Sequence, residues 1–207
     1  MKNKIFSFFL FDLIIVAGIF IAVSLNSCSC KPCQQKVESQ IPLNILQKAD
    51  QFIASKTGSD FFKKYITVDF SQSKHLNPNY LLVYKFYMPE ISFVDETIRF
   101  TTDSTGNVLK QFEIVGIPDC DSNPADCDFV VDEKIAKQIA TQNNLSKGII
   151  DWKADFVWNA KYNKYVWEII STSKENKNQE YYRAEGEKII IDATNAEVLS
   201  KDNWKIN

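Results

Sequence analysis

The chain has 207 residues, of which 45% are apolar, 13% aromatic and 24% charged. That composition supports a packed core and argues against extensive disorder, and the length fits one domain or two small ones. With 24 Lys+Arg against 26 Asp+Glu the formal charge is −2, which excludes the basic footprint of a nucleic-acid binder; a single His leaves little room for histidine-rich metal sites or His-based catalysis.

Lys2 and Lys4 precede an apolar run from Ile5 to Leu25, interrupted only by Ser7, Asp12, Gly18 and Ser24. A basic start, an apolar middle and small residues at the end read as a secretion signal over residues 1–27. The run closes on Leu25-Asn26-Ser27-Cys28, which resembles the lipobox of bacterial lipoproteins. That resemblance implies cleavage before Cys28, lipid on its sulfur and new amino group, and a membrane-anchored location in the cell envelope, facing the periplasm or the exterior. Several acyl chains anchor stably where a single chain is marginal. The competing reading is an uncleaved membrane-spanning helix, since about 20 apolar residues cross a bilayer; Asp12 is costly in that setting. Lys2, Lys4 and Asp12 give the leader a charge of +1, so the remainder carries −3.

Four further cysteines follow. Cys120 and Cys127 bracket the turn-rich stretch 121–126 and suit a short disulfide pinning the link between two halves, with two separate thiols as the alternative. Cys30-Lys31-Pro32-Cys33 has the spacing of a redox motif. A redox cysteine needs a strand before it and a helix N-terminus behind it to hold its thiolate, and neither fits a polar tether at 28–41. Cys30 and Cys33 are therefore expected to form a structural or incidental second pair. A metal site from Cys28, Cys30 and Cys33 fails once Cys28 is a thioether.

Beyond the tether, Ile45, Leu46, Ala49, Phe52 and Ile53 recur with helical spacing. Asn44 with Gln47 forms a candidate capping pair and Gly58 a stop. Tyr80, Leu82, Tyr84, Phe86 and Met88 share one face of a strand; Ile98 and Phe100 share a face of the next. Residues 102–107 read as a hairpin turn with Gly106 at positive φ, and 108–115 as a strand covered on both sides. The second half repeats the order. Val131, Ile135, Ala136, Ile139 and Ala140 make a helical stripe; Trp152, Ala154, Phe156 and Trp158 alternate cleanly; Tyr165, Trp167 and Ile169 follow. Lys174–Gln179 reads as a charged loop, and 188–192 with 197–201 as a closing hairpin.

Ala49 matches Ala136, Tyr80 matches Tyr165, and Val108-Leu109 matches Val198-Leu199, at offsets of 87, 85 and 90. Similar offsets with elements in one order suggest duplication. The expected fold is α+β: two similar units, 42–118 and 131–207, each a helix packed on an antiparallel sheet, joined by an acidic Cys-bracketed linker at 119–130.

Residues 131–201 resemble a PepSY domain. That family shows a short helix, a Trp-bearing strand, a Tyr-Val-Trp-Glu strand and an Asp-Ala-x-Thr-Gly-x-Val turn. Here stand Trp152, Tyr165-Val166-Trp167-Glu168 and Asp192-Ala193-Thr194-Asn195-Ala196-Glu197-Val198. Asn195-Ala196 replaces Thr-Gly. Ala196 at positive φ would cost about 1 kcal/mol or more, leaving Asn195 as the alternative for that conformation. The first half keeps Thr105-Gly106 but has Thr102 where the Asp is expected. The resemblance implies a non-catalytic protein that binds, and can inhibit, an extracytoplasmic protease or another envelope partner; the motif turn is structural.

No Gly-x-Ser-x-Gly elbow, reactive-Cys signature or phosphate-cradling loop is present. His75 lies in a loop-like stretch, 73–78, and a hydrolase would have to use it without an evident nucleophile. Asp119, Asp121, Asn123, Asp126 and Asp128 open like a calcium loop, but Pro124 and Val130 occupy positions that need Gly and Glu. A solvated linker is the expectation, and no cofactor or metal is assigned. Tyr87, Tyr162, Tyr181 and Tyr182 are candidate contact residues, Tyr being favoured at interfaces. The alternative function is binding of a small ligand or metal in a cleft between the halves.

Overall fold

A computed structural model describes residues 41–177 and 182–206. The leader, Cys28 and the Cys30/Cys33 pair lie outside the described residues. In chain order come α1 (Leu43–Thr57), α2 (Ser59–Tyr65), β1 (Ile66–Val68), β2 (Lys74–Leu76), β3 (Asn79–Tyr87), β4 (Asp95–Thr102), a 3₁₀ turn (Pro124–Cys127), α3 (Glu133–Gln142), β5 (Lys153–Asn159), β6 (Lys164–Lys177), β7 (Tyr182–Asp192) and β8 (Val198–Ile206). The fold is α+β, with two antiparallel sheets of four strands each.

Helix α1 buries Ile45, Ala49 and Ile53, as its spacing predicts. Asn44 does not cap it. The cap lies two residues earlier, at Pro42, whose carbonyl accepts the Ile45 and Leu46 N–H groups at 3.0 and 3.2 Å. Pro42 sits at φ −59°, the value its ring imposes; Asn44 is then already inside the helix. Gly58 stops it at φ +82°, and the chain restarts at once as α2. Seven residues are too few for a periodic signal, which is why α2 escapes the sequence pattern.

In the first sheet β3 is central. β1 and β2 share one edge of it (Ile66↔Phe86, Lys74↔Leu81), and β4 lines the other from Tyr80↔Thr102 to Tyr87↔Asp95. Leu82, Tyr84, Phe86, Ile98 and Phe100 are fully buried, and the Phe52 ring of α1 meets Phe100 at 5.3 Å. The second sheet is a β5-β6-β7-β8 meander. Phe156, Trp167 and Ile191 form one cross-strand row. Helix α3 packs here through Ala136 and Ala140, both fully buried. Asp132 caps it by accepting the Ile135 N–H at 2.7 Å, while Ile135 itself faces outward.

Three expectations need correction. Residues 108–115 are not a strand: only Thr102↔Val108 and Arg99↔Val115 bridge. Between them the chain turns, Phe112 N–H bonding to the Leu109 carbonyl at 3.0 Å, and Phe112 is exposed. Lys174–Lys177 is strand, because β6 and β7 stay paired through Lys174↔Glu185 to Lys177↔Tyr182. His75 lies on β2, opposite Tyr80.

Both halves build one core. The Phe86 ring meets Tyr165 at 5.6 Å and Phe129 at 6.2 Å. Phe93 meets Phe156 at 5.2 Å and Trp167 at 5.3 Å. Phe156 stacks on Tyr165 at 5.1 Å. These edge-to-face and offset contacts add to plain area burial.

Candidate functional site

The turn between β7 and β8 is held by the side chain of Asp192. Asp192 is wholly buried. Its Oδ1 accepts the Thr194 N–H at 2.9 Å and the Thr194 hydroxyl at 2.8 Å; its Oδ2 pairs with Lys164 Nζ at 2.6 Å. Burial pushes the carboxyl pKa up, but Lys164 and Thr194 outweigh it and hold it below the ordinary Asp range. Ala196, not Asn195, takes the positive φ, at +65°. The reason is local: the Asn195 side chain accepts the Glu197 N–H at 2.9 Å, and the Ala196 N–H closes on the Asp192 carbonyl at 3.1 Å. Val198 then opens β8 opposite Ile191.

The first half carries the same device. The Asp103 carboxylate accepts the Thr105 N–H at 2.8 Å, the Thr105 hydroxyl at 2.7 Å and the Asn107 N–H at 2.9 Å. The Thr105 hydroxyl, then the backbone donors, lower its pKa to about 2. Gly106 sits at φ +87°, where an added Cβ would lie 2.9 Å from Lys48 Cδ. Thus the Asp is present in both turns. It is hidden in the sequence because the second turn is one residue longer: Asp103 N–H bonds to Asn107 O, but Asp192 N–H bonds to Glu197 O. Counting from these turns also changes one anchor. Thr102 faces Tyr80, and Ile191 faces Trp167, so Trp167 rather than Tyr165 stands in the place of Tyr80.

Tyr165 does something else. It is buried, and its hydroxyl donates to the Gly116 carbonyl at 2.9 Å, across the seam between the halves. Gly116 sits at φ +81°, and a Cβ there would lie 2.7 Å from Thr97 O and 2.9 Å from the Tyr165 oxygen. Beside this contact is Glu96, half-buried on the inward side of β4. Burial first, then the Asp95 charge, push its pKa up to about 7, against a weak opposing bond from Thr97 N–H. Burial and then the Glu96 charge push Tyr165 well up. The Trp158 ring meets Tyr165 at 5.2 Å, and its buried Nε1 has no hydrogen-bond partner among the described residues. Glu96 is absent from the residues singled out in the sequence; the signal that would have found it is its place in the inward register of Ile98 and Phe100, unusual for a carboxylate.

Cys120 and Cys127 stand at disulfide distance, with Cα atoms 5.5 Å apart. The loop is tied to α1: Asp121 N–H donates to Lys56 O at 2.9 Å, and Lys56 Nζ lies 3.4 Å from Asp119. Among the described residues, no group of three or more His, Cys, Asp or Glu is placed to hold a metal ion. His75 stacks on Tyr80 at 4.6 Å and is exposed. Tyr87 and Tyr182 are exposed, Tyr162 donates its hydroxyl to Leu199 O at 3.1 Å, and Tyr181 lies outside the described residues.

One groove draws on both halves. Ser92 and Phe93 from the β3–β4 loop face Asp132, Lys134 and Lys137 of α3 and its cap, above Trp167, around an open volume of about 660 Å³. It is wide and charged at its rim. No helix among the described residues is long and apolar enough to cross a membrane. No protein-family model matches this chain, and no curated protein matches it either.

Proposed function

We propose that this is a lipid-anchored, non-catalytic envelope protein that binds a protein partner outside the cytoplasm, a protease being the leading class. The observation that carries the reading is Cys28 standing at the end of the apolar leader after Leu25-Asn26-Ser27. The cysteine pair at 120 and 127 supports an oxidising compartment. The Asp-Thr turns closing both sheets, with the helix-then-meander order around them, support tandem PepSY-like units. On this reading the aromatic core is a scaffold, and the contacts are made by its exposed surface.

The test has two arms. The wild-type chain should partition with membranes, and mass spectrometry should show an acylated Cys28 as the first residue. Cys28→Ser should release it or leave the leader attached. The detergent-solubilised full chain should then recover one envelope protein reproducibly after crosslinking. An unmodified Cys28 behind an intact leader overturns the anchor; recovery of no partner overturns the binding role.

The groove between the 88–94 loop and α3 favours a second reading, a small-ligand lipoprotein. A thermal shift with an added anion that disappears in Lys137→Ala would support it over the first.

A further inference from the structure

We infer that Glu96 makes the seam between the two halves a proton-sensitive joint, tight while its carboxyl is protonated and looser once it ionises. Glu96 pairs with Phe86 across the strands, and the Phe86 ring packs on Tyr165 and Phe129 at 5.6 and 6.2 Å. Glu96 is thus half-buried beside Phe86, whose ring belongs to the aromatic cluster that joins the two halves.

The strand of Glu96 contributes Asp95, a like charge, and the Thr97 N–H, a weak donor. Across the sheet β3 contributes Phe86, which carries no charge. Lys85 of β3 is a cation next to Phe86, but it pairs with Asp95 at 3.1 Å rather than with Glu96. From β6 comes Tyr165, whose hydroxyl is already committed to Gly116 O. From β5 comes Trp158, in ring contact with Tyr165; its buried Nε1 donor finds no partner among the described residues, Glu96 included. The 113–118 segment presents the Gly116 carbonyl, an acceptor. Among the described residues the Glu96 carboxylate has no ion-pair partner. An acceptor and a committed hydroxyl suit a neutral COOH group, which can donate; they do not suit a carboxylate, whose burial is costly without a partner. The direction of the electrostatics agrees, since burial and Asp95 raise this carboxyl to about 7.

Between the ordinary Glu value of about 4.3 and the folded value, the native state holds a proton that the unfolded state has released. The stabilising proton is therefore in place at mildly acid pH and is lost as pH rises through about 7. Glu96 stands opposite Phe86 and next to Thr97, against which Gly116 packs, and Gly116 accepts the Tyr165 hydroxyl, so the looseness falls at the seam.

Hydrogen exchange of the full, detergent-solubilised chain tests this, read between pH 5.5 and 8.5 and corrected for intrinsic exchange. Protection in 113–118 and 158–167 should fall about tenfold as pH rises, for a pKa shift expressed over one unit. Glu96→Gln, neutral at all pH, should abolish the fall and keep the seam protected at pH 8.5. Flat protection in the wild-type chain overturns the inference, as does an unchanged transition in the variant. If the variant does not fold, infrared titration of the wild-type chain still decides. A protonated-carboxyl band that vanishes near pH 7 supports the joint, and its absence overturns it.

Discussion

Lys164 Nζ lies 2.6 Å from an oxygen of Asp192, a side chain with no exposed surface. The ammonium and the Thr194 donors together permit an ionised carboxylate where burial opposes one. Removing only the cation leaves a buried charge with neutral partners, the arrangement that costs most in mutational studies. Lys164→Met should lose about 2–3 kcal/mol at pH 7, measured by urea unfolding. The folded Asp192 titrates below its ordinary value of about 3.9, so the pair contributes fully above that value and is lost as pH falls through the lower folded value. The acid-unfolding midpoint of Lys164→Met should therefore rise. A loss under about 0.5 kcal/mol would show that Thr194 alone suffices.

The two positive-φ residues of the closing turns should respond in opposite directions. Ala196→Gly relieves strain at φ +65° and should stabilise by about 0.5–1 kcal/mol. Gly106→Ala creates strain at φ +87° and brings a Cβ to 2.9 Å from Lys48; it should destabilise by more than about 1 kcal/mol. Paired thermal melts check both, and a common sign would refute the account of the turns.

Much of this fold was visible in hydrophobic spacing. Ile45, Ala49 and Ile53 carry a 3.6-residue period, and Leu82, Tyr84 and Phe86 a period of two, because each element buries a single face. Where the pattern misled, chain geometry intervened. Val108–Val115 alternates, yet Leu109 and Phe112 close a turn that lifts the segment off the sheet. Lys174 and Asn176 are exposed, as their polarity suggests, but the backbone of 174–177 still pairs with β7. The first-half Asp went unrecognised because a turn shorter by one residue shifts Asp103 out of alignment with Asp192. The seam was illegible for another reason: Tyr165 meets Gly116 only after both sheets have formed.

The Cys120–Cys127 pair spans seven positions of sequence. Closing so short a loop limits the unfolded chain by about 2–3 kcal/mol. Cys120→Ser should lower stability by that amount, and a reducing agent should lower wild type equally while leaving the variant unchanged. A variant as stable as wild type under oxidising conditions would show that the pair is not closed in solution.

Tyr165→Phe keeps the ring in the core and deletes the hydroxyl that bonds Gly116. The orphaned carbonyl should cost about 1–2 kcal/mol. Phe156→Ala removes a ring that contacts Phe93, Phe129, Tyr165 and Trp167 and should cost about 3–5 kcal/mol. In both variants, tryptophan fluorescence and far-ultraviolet dichroism should unfold together. Separate transitions would mean that the halves do not share one cooperative core.

The interlocking of Phe86 and Phe93 with Tyr165, Phe156 and Trp167 sets a timetable for the newborn polypeptide. Synthesis runs from the amino end, so Phe86 and Phe93 emerge some seventy residues ahead of the rings that cover them. Until Trp167 has been delivered, the leading portion covers Phe86 only from the Phe61 side and leaves the face that meets Tyr165 bare. A chaperone that shields such a face during that interval would act on this chain before its carboxyl-terminal sheet exists.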